Sequence, residues 1–166
     1  MKKTIVVAAL SFITATGSAQ AADIVQIAAG NPNFSTLVAA LQAAGLADDL
    51  SAPNGPYTVF APPNDAFARL PAGTVEKLLE PANQDLLIKV LTYHVVSGSV
   101  TAAQVVTLRE ANTLLGEPVK INANPSGVRV ENANVTATDI IADDGVIHVV
   151  DRVLLPAGFI GELNRR

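Results

Sequence analysis

The stretch TVFAPPNDAF, residues 58–67, changes from strand-like to helix-like character within ten residues. Its two adjacent prolines follow a strand predicted at 57–60 and make the backbone rigid, because each proline ring restricts φ to about −65°. Asn64 and Asp65 come next, and both residue types carry oxygens that cap helix N-termini. We therefore predict a strand, a rigid turn and a short helix that begins at Asp65 and continues towards Leu70.

The spacing of apolar residues elsewhere changes near Gly98. Before it, an apolar stripe at helical spacing over 37–46 predicts a helix that ends at Gly45. The same spacing predicts a helix capped by Thr74 and a helix over 84–92. After it, a period of two predicts strands. These strands are 114–115, 119–121, 128–130, 135–141 and 146–154.

Turn residues separate the predicted strands. The segments NPSG at 124–127 and DDG at 143–145 predict two hairpin turns, and we expect the second to be a turn and not a metal site. The chain shows no internal repeat or low-complexity linker. Helices followed by strands predict one α+β domain.

The N-terminus is similar to a secretory signal peptide. Two lysines precede the apolar run 5–13, and small residues lead to a predicted cleavage site after Ala21. This run is shorter than the roughly 18 apolar residues of a membrane span, so we expect no stable membrane insertion. We divide the chain into a signal peptide at 1–21, one domain at 22–160 and a tail at 161–166, and expect a periplasmic or extracellular protein.

Composition and motifs exclude several classes of function. The chain has no cysteine, which removes disulfides, thiolate catalysis and a lipid-anchored cysteine. Removal of the two signal-peptide lysines changes the formal net charge from −4 to −6, so we expect no nucleic acid partner. The common hydrolase, phosphate-binding, zinc and dinucleotide motifs are absent from the sequence. We therefore predict no catalytic residue, metal or cofactor.

The two histidines lie in apolar surroundings. His148 is in a strand with mostly apolar residues on both faces, which is typical of a covered central strand. A buried His94 needs a hydrogen-bond partner, because an unpaired buried group costs about 1 to 3 kcal/mol. We predict that Asp65 accepts from His94 and also caps its own helix, which fastens the two halves of the domain. The predicted structural hydrogen-bond network consists of Thr58, Asn64, Asp65, His94 and His148.

Three elements of the sequence resemble the fasciclin-type domain family. TVFAPPNDAF resembles its first block, GVIHVVDRVLLP at 145–156 resembles its second, and Tyr93-His94 is similar to the element between them. The resemblance spans residues 23–156. It implies a fasciclin-like α+β fold, in which short strands form a twisted wedge or sandwich flanked by several helices. It also implies an extracellular adhesion or interaction module without enzymatic activity.

The same resemblance implies a partner-binding site. In animal members, the tyrosine-histidine element and an aspartate-isoleucine pair before the second block are implicated in receptor binding. The matching residues here are Tyr93, His94, Asp139 and Ile140. The alternative is structural, with Ile140 buried in a strand, Asp139 at a bend and the Tyr93 ring in the core.

We expect a secreted module that binds a cell-surface or matrix protein or a polysaccharide, with weak self-association left open. One alternative is a periplasmic small-molecule or lipid binder, which an enclosed apolar cavity of roughly 300 Å³ or more between helices and sheet would support. Another is a hydrolase that uses His94 with Asp65 and Ser97 or Ser99. It requires a serine oxygen within about 3.2 Å of the imidazole.

Overall fold

The computed structural model describes residues 22–51 and 55–165, in which helices pack against a seven-stranded sheet. The predicted signal peptide lies outside the described residues. Within them, no helix combines the length and the apolar character that a membrane span requires. The described helices are α1 (Ile24–Ala29), α2 (Ser35–Ala44), α3 (Asn64–Ala68), α4 (Thr74–Leu79), α5 (Gln84–Tyr93), α6 (Ala102–Val105) and α7 (Phe159–Leu163), with 3-10 turns at Pro32–Phe34 and Pro81–Asn83.

The sheet has one parallel pair and is otherwise antiparallel. Its strands are β1 (Tyr57–Ala61), β2 (Val95–Ser97), β3 (Glu110–Asn112), β4 (Pro118–Asn124), β5 (Gly127–Val130), β6 (Ala133–Ala142) and β7 (Gly145–Val150). Their order is β2-β1-β7-β6-β5-β4-β3, and β1 is parallel to β7. Asn124 pairs with Gly127 and Ala142 pairs with Gly145, which confirms both predicted hairpin turns. The predicted α+β fold class is confirmed.

The sheet curls until its two outer strands, β2 and β3, approach each other. An isolated bridge joins Val96 to Thr113, and the backbone N–H of Leu114 donates to the carbonyl of Val95 at 2.8 Å. This curl follows from the twist that accumulates between neighbouring strands. The predicted twisted wedge of short strands flanked by helices is therefore confirmed.

Two apolar clusters lie on opposite faces of the central strands. Side chains alternate along a strand, so Val59 and Ile147 join a cluster with the helices, whereas Phe60 and Val150 join a cluster inside the curl. The helix-side cluster includes Ile24, Phe34, Leu37, Leu41, Phe67, Leu86, Phe159 and Leu163. Strand β7 is covered on both faces, as predicted for the strand that carries His148.

Several predicted boundaries differ from the structure. Strand β7 ends at Val150, and residues 114–115 form a turn before Gly116, whose φ of 90° interrupts an extended chain. Thr74 is the first residue of α4 and makes no capping hydrogen bond, because Gly73 occupies the N-cap position. The predicted end of α2 at Gly45, with a φ of 73°, is confirmed.

The chain beyond residue 160 is not a free tail. Helix α7 continues to Leu163, which is 2% exposed and belongs to the helix-side cluster. Glu162 forms an ion pair with Lys89 of α5 at 3.0 Å. The packed domain therefore extends past the predicted boundary, because an apolar residue near the C-terminus completes the core.

Candidate functional site

Asp65 does not form the predicted link to His94. Its side chain is exposed in the first turn of α3, and α3 has no side-chain cap. Both ring nitrogens of His94 bond to backbone atoms instead. The prediction that Asp65 fastens the two halves of the domain was wrong, because the carboxylate faces away from the core.

Asn64, the preceding residue, makes the connection that we had assigned to Asp65. Its side-chain oxygen accepts from the backbone N–H of Thr36 at 3.0 Å, near the start of α2. Its side-chain nitrogen donates to the carbonyl of Pro32 at 3.0 Å, and a further contact reaches the Ser35 hydroxyl. Helix α2 lacks a capping side chain of its own, so Asn64 supplies the cap from α3.

His94 joins α5 to the segment after β7. Its Nδ1 donates to the carbonyl of Val90 at 2.7 Å, and its Nε2 accepts from the backbone N–H of Leu154 at 2.8 Å. Burial lowers the pKa of His94 to about 4, although the Val90 hydrogen bond opposes this shift. The ring is therefore neutral at neutral pH, and neither nitrogen is available to a serine hydroxyl. This geometry contradicts the alternative in which His94, Asp65 and Ser97 or Ser99 form the active site of a hydrolase.

Tyr93 and His94 are not placed to contact a partner. They are 5% and 2% exposed, and Tyr93 packs inside the curled sheet. Burial raises the pKa of Tyr93 to about 12, and the charges of Glu131 and Glu117 add to that rise. These two residues therefore offer little surface to a partner, because Tyr93 lies inside the curl and His94 lies between α5 and the segment after β7.

His148 and Thr58 hold the loop at 98–102 against the sheet. The Thr58 hydroxyl donates to the carbonyl of Gly98 at 2.7 Å and accepts from the N–H of Val100 at 2.8 Å. His148 Nε2 donates to the carbonyl of Val100 at 2.8 Å, while its Nδ1 accepts from the N–H of Asp139 at 3.4 Å. Both residues make structural hydrogen bonds, and His148 also orients the backbone of β6.

Asp139 and Ile140 lie where β6 departs from regular pairing. The register shifts between Ala137 and Ile140, and Asp139 has a φ of 55°. Its carboxylate accepts from the N–H of Ala102 at 2.8 Å, at the start of α6. Such bulges change the direction in which side chains point. Here Ile140 is half-buried, whereas Ile141 is 68% exposed.

An open groove of about 400 Å³ connects the irregular part of β6 with the beginning of α3. Asp65 and Ile140 both line it, so the two sequence elements that we had treated separately meet at one surface. The wall from the helical half combines polar side chains with Phe34 and Pro63, whereas the wall from the sheet is aliphatic. The full lining is Asn31, Asn33, Phe34, Pro63, Asn64, Asp65, Ala137, Ile140 and Val149.

The sequence did not predict this groove or the exposure of Ile141. The period-two pattern of 135–141 indicates a strand, but a register shift reverses which side chains face outward. Asn31 and Asn33 carry no recognisable pattern, and they reach the groove only through the fold. The signal that could have indicated the irregularity was Asp139 within the strand pattern, since aspartate tolerates positive φ better than most residues.

Two further open grooves have volumes of about 470 and 320 Å³. Arg109 and Lys120 line the larger groove, and Arg69 and Arg152 line the smaller one. Neither is an enclosed apolar cavity, so these grooves do not favour the lipid-binding alternative. The part of the chain that the structure describes also contains no cluster of three or more acidic or histidine residues suited to a metal ion.

A family model for the fasciclin domain matches residues 32–156, which include every groove residue except Asn31 and all four predicted partner-binding residues. The chain belongs to the fasciclin domain family. This fasciclin domain is 57% identical to the Synechocystis protein sll1483 over 133 residues, covering 80% of this chain and 73% of that protein. It is 39% identical to the immunogenic protein MPB70 of Mycobacterium bovis, covering 78% and 66% of the two chains.

The fold of this fasciclin domain is similar to a solved domain pair of the same type. The match to the FAS1 domain pair of the insect cell adhesion molecule fasciclin I has a TM-score of 0.74 and covers 84% of this chain and 52% of that chain. At 17% sequence identity, this likeness concerns the fold alone.

Proposed function

We propose that this fasciclin domain is a secreted, non-enzymatic adhesion module that binds another protein through the exposed surface at the irregular end of β6. The observation that carries the proposal is Ile141, which is 68% exposed at the end of the irregular strand β6, on the face opposite to that of the groove residue Ile140. Exposed aliphatic groups beside polar groups are typical of protein recognition surfaces.

The chemistry of the surface favours a protein over a polysaccharide. The aromatic residues among those described are buried or half-buried, so the flat aromatic faces on which sugar rings stack are not offered to solvent. The end of β6 instead offers the aliphatic side chain of Ile141 near the exposed carboxylates of Asp139 and Asp143. A protein partner with an exposed apolar side chain and backbone N–H groups matches this combination.

The hydrogen bonds of the histidines support a non-enzymatic role. Each ring nitrogen of His94 and His148 is bonded to the protein, so neither ring can transfer a proton without first breaking a structural contact. We further propose that the domain acts in the periplasm or outside the cell, because the N-terminal sequence is similar to a signal peptide and the domain is that of an adhesion module.

A binding assay with two matched variants tests the proposal. The domain is incubated with immobilised outer-envelope proteins, matrix proteins and envelope polysaccharides. Ile141→Ser should weaken binding to the protein fraction at least tenfold. Leu114→Ser is the matched control: it removes a similar side chain, 41% exposed in the turn after β3, and should leave binding unchanged. Equal binding by both variants, or retention only on polysaccharide, would overturn the proposed protein partner.

Self-association is distinguished in the same preparation. Sedimentation of the parent and of Ile141→Ser shows whether the exposed isoleucine binds a second copy. A concentration-dependent dimer that the substitution removes would make the domain its own partner. A monomer in both samples leaves the partner as a different protein.

A further inference from the structure

The turn between β6 and β7 buries a carboxylate of which only one oxygen is satisfied. Asp144 is 4% exposed, and its Oδ1 accepts from the backbone N–H of Ile24 at 2.9 Å. Its Oδ2 is buried and has no hydrogen-bond partner among the described residues. A buried ionised oxygen without a partner is strongly unfavourable. A donor that carries positive charge would satisfy it best.

The surrounding backbone leaves the turn little freedom to expose this oxygen. The N–H of Tyr57 donates to the backbone carbonyl of Asp144 at 2.8 Å. Gly145 lies so close to Tyr57 that a Cβ atom at this position would overlap the Tyr57 backbone. The carboxylate is thus held in place, and a partner has to come to it.

The start of the domain lies along the same turn. The carbonyl of Ala22 accepts from the N–H of Asp143 at 3.3 Å, and the N–H of Ile24 binds Asp144. Asp23 between them caps α1 by accepting from the N–H of Gln26 at 2.7 Å. Residue 22, which follows the predicted cleavage site, is therefore fixed beside the unsatisfied carboxylate.

We propose that Asp144 is the binding site for the α-ammonium group that signal-peptide cleavage creates at Ala22. This inference rests on the proposed export. Hydrolysis of the bond between Ala21 and Ala22 consumes one water: the Ala21 carbonyl carbon gains the hydroxyl group, and the Ala22 nitrogen gains the proton. The released amine binds a further proton from solvent and becomes a cation with three donors.

The chemistry of an α-ammonium group matches the site. An α-amino group has an ordinary pKa of about 7.7 to 8.0, so it is mostly protonated at neutral pH. Residues 22 to 24 span at most about 7 Å, and Ile24 already contacts the carboxylate, so the amine of Ala22 lies within reach of it. Before cleavage, the same nitrogen is a neutral amide with one donor.

The charges around the site favour a cation. Burial raises the pKa of Asp144, and the neighbouring Asp23 and Asp143 carboxylates add to this rise. A positive group near the three carboxylates would favour the ionised form of Asp144 and offset their mutual repulsion. Processing therefore completes the core of the domain, and the cleaved chain is more stable than the same domain with residues still attached.

Three versions of the domain test the ion pair without relying on export. A fusion cleaved directly before Ala22 gives the free amine; acetylation of Ala22 removes the charge, and a chain beginning at Gln20 retains a neutral amide. The unfolding equilibrium constant of the free-amine form should be about tenfold lower, or more, than that of the other two. Equal denaturation midpoints for the free and acetylated forms would overturn the proposal.

Substitutions show whether Asp144 is the group that responds. In Asp144→Asn, the difference between free and acetylated forms should disappear. In Asp143→Asn, which alters the exposed neighbour, the difference should remain. Persistence of the difference in Asp144→Asn would assign the effect to another carboxylate and overturn the site.

The titration of the amine gives a second readout. The titratable groups nearest to Ala22 along the chain and across the turn are Asp23, Asp143 and Asp144, and we expect their negative charges to raise the pKa of the amine above the ordinary value. The extra stability of the free-amine form is therefore present below about pH 7.7 as long as Asp144 is ionised, and it is lost as pH rises through the folded pKa of the amine. An amine pKa at or below the ordinary value, measured by NMR, would contradict the ion pair.

The mass of the exported protein tests the link to processing. Expression of residues 1–166 in a bacterial host should yield a chain whose first residue is Ala22. Another first residue would overturn the processing step, whatever the stability measurements show. Neither result depends on whether the domain binds an adhesion partner, so the two proposals fail separately.

Discussion

The side-chain oxygen of Asn64 accepts a hydrogen bond from the backbone N–H of Thr36 at 3.0 Å, so the cap of helix α2 comes from helix α3. Caps usually precede the helix that they stabilise. Here the rigid prolines before Asn64 hold α3 against the start of α2, and one amide group replaces the missing local cap. The stretch TVFAPPNDAF thus joins a strand to two helices.

Substitution of Asn64 should destabilise the domain more than substitution of its neighbour. Asn64→Ala removes the cap of α2 and leaves the Pro32 carbonyl without its donor, so the free energy of unfolding should fall by about 1 to 3 kcal/mol. Asp65→Ala is the matched control, and as an exposed change it should cost about 0.5 kcal/mol or less. Denaturant titration measures both. A larger cost for Asp65→Ala would restore that residue as the fastener.

The stability of the domain should fall as pH decreases from 6.5 to 4. The pKa of His94 is lowered from 6.5 to about 4, so the unfolded chain binds the proton in this interval and the folded chain does not. The contribution is fully present above pH 6.5, decreases as pH falls, and is lost at about pH 4. The shift corresponds to about 3 kcal/mol, which thermal or denaturant melts across this range would detect.

The variant His94→Gln separates this effect from general acid sensitivity. Glutamine retains one donor and one acceptor for the Val90 carbonyl and the Leu154 N–H but does not titrate. The variant should be less stable at pH 7, and the decrease in stability between pH 6.5 and 4 should be smaller than in the parent. An identical pH profile would show that His94 is not the responsible group.

Gly145 should be far less tolerant of alanine than Gly116. A Cβ at Gly145 would overlap the backbone of Tyr57 across the β1–β7 pair, whereas a Cβ at Gly116 meets no atom within 4 Å. Gly116→Ala is strained only by the backbone φ of 90° at this position, and it should lower the free energy of unfolding by about 1 kcal/mol. Gly145→Ala should cost several times more or yield no folded protein. Similar melting temperatures for the two variants would contradict the close approach of β1 and β7.

Asp139 should be replaceable by asparagine but not by alanine. Asparagine tolerates positive φ and can accept from the Ala102 N–H, so Asp139→Asn should change stability by less than about 0.5 kcal/mol. Asp139→Ala loses that hydrogen bond and strains the backbone, so it should cost about 1 kcal/mol or more. Thermal melts compare the two. Because Asp139→Asn keeps the local structure and removes the charge, a loss of binding in this variant would show that the partner contacts the carboxylate.

The sequence predicted elements whose signal is local. The hairpin turns at 124–127 and 143–145 and the end of α2 at Gly45 depend on residues that favour turns or positive φ, and these preferences act wherever the residue lies. Helix α7 was missed because its five residues carry a weak pattern and its stability comes from burial of Leu163. Tertiary packing, and not local preference, decides such a short helix.

The candidate site was predicted only in part, because adjacent residues on a helix point in different directions. Asn64 and Asp65 are both capping types, and sequence cannot show which one faces α2. His94 needed a partner, as predicted, but two backbone groups distant in sequence supplied it. The meeting of Asp65 with Ile140 at one groove, and of Ala22 with Asp143, depends on contacts between segments far apart in the chain.

The contact between the outer strands β2 and β3 has a consequence for aggregation. Exposed strand edges offer unpaired N–H and C=O groups on which other chains can add strands and aggregate. By bridging Val96 to Thr113, this domain uses part of both edges internally. Contacts with other chains at this place then depend on side chains rather than on open backbone, which lowers the risk of indiscriminate β-pairing.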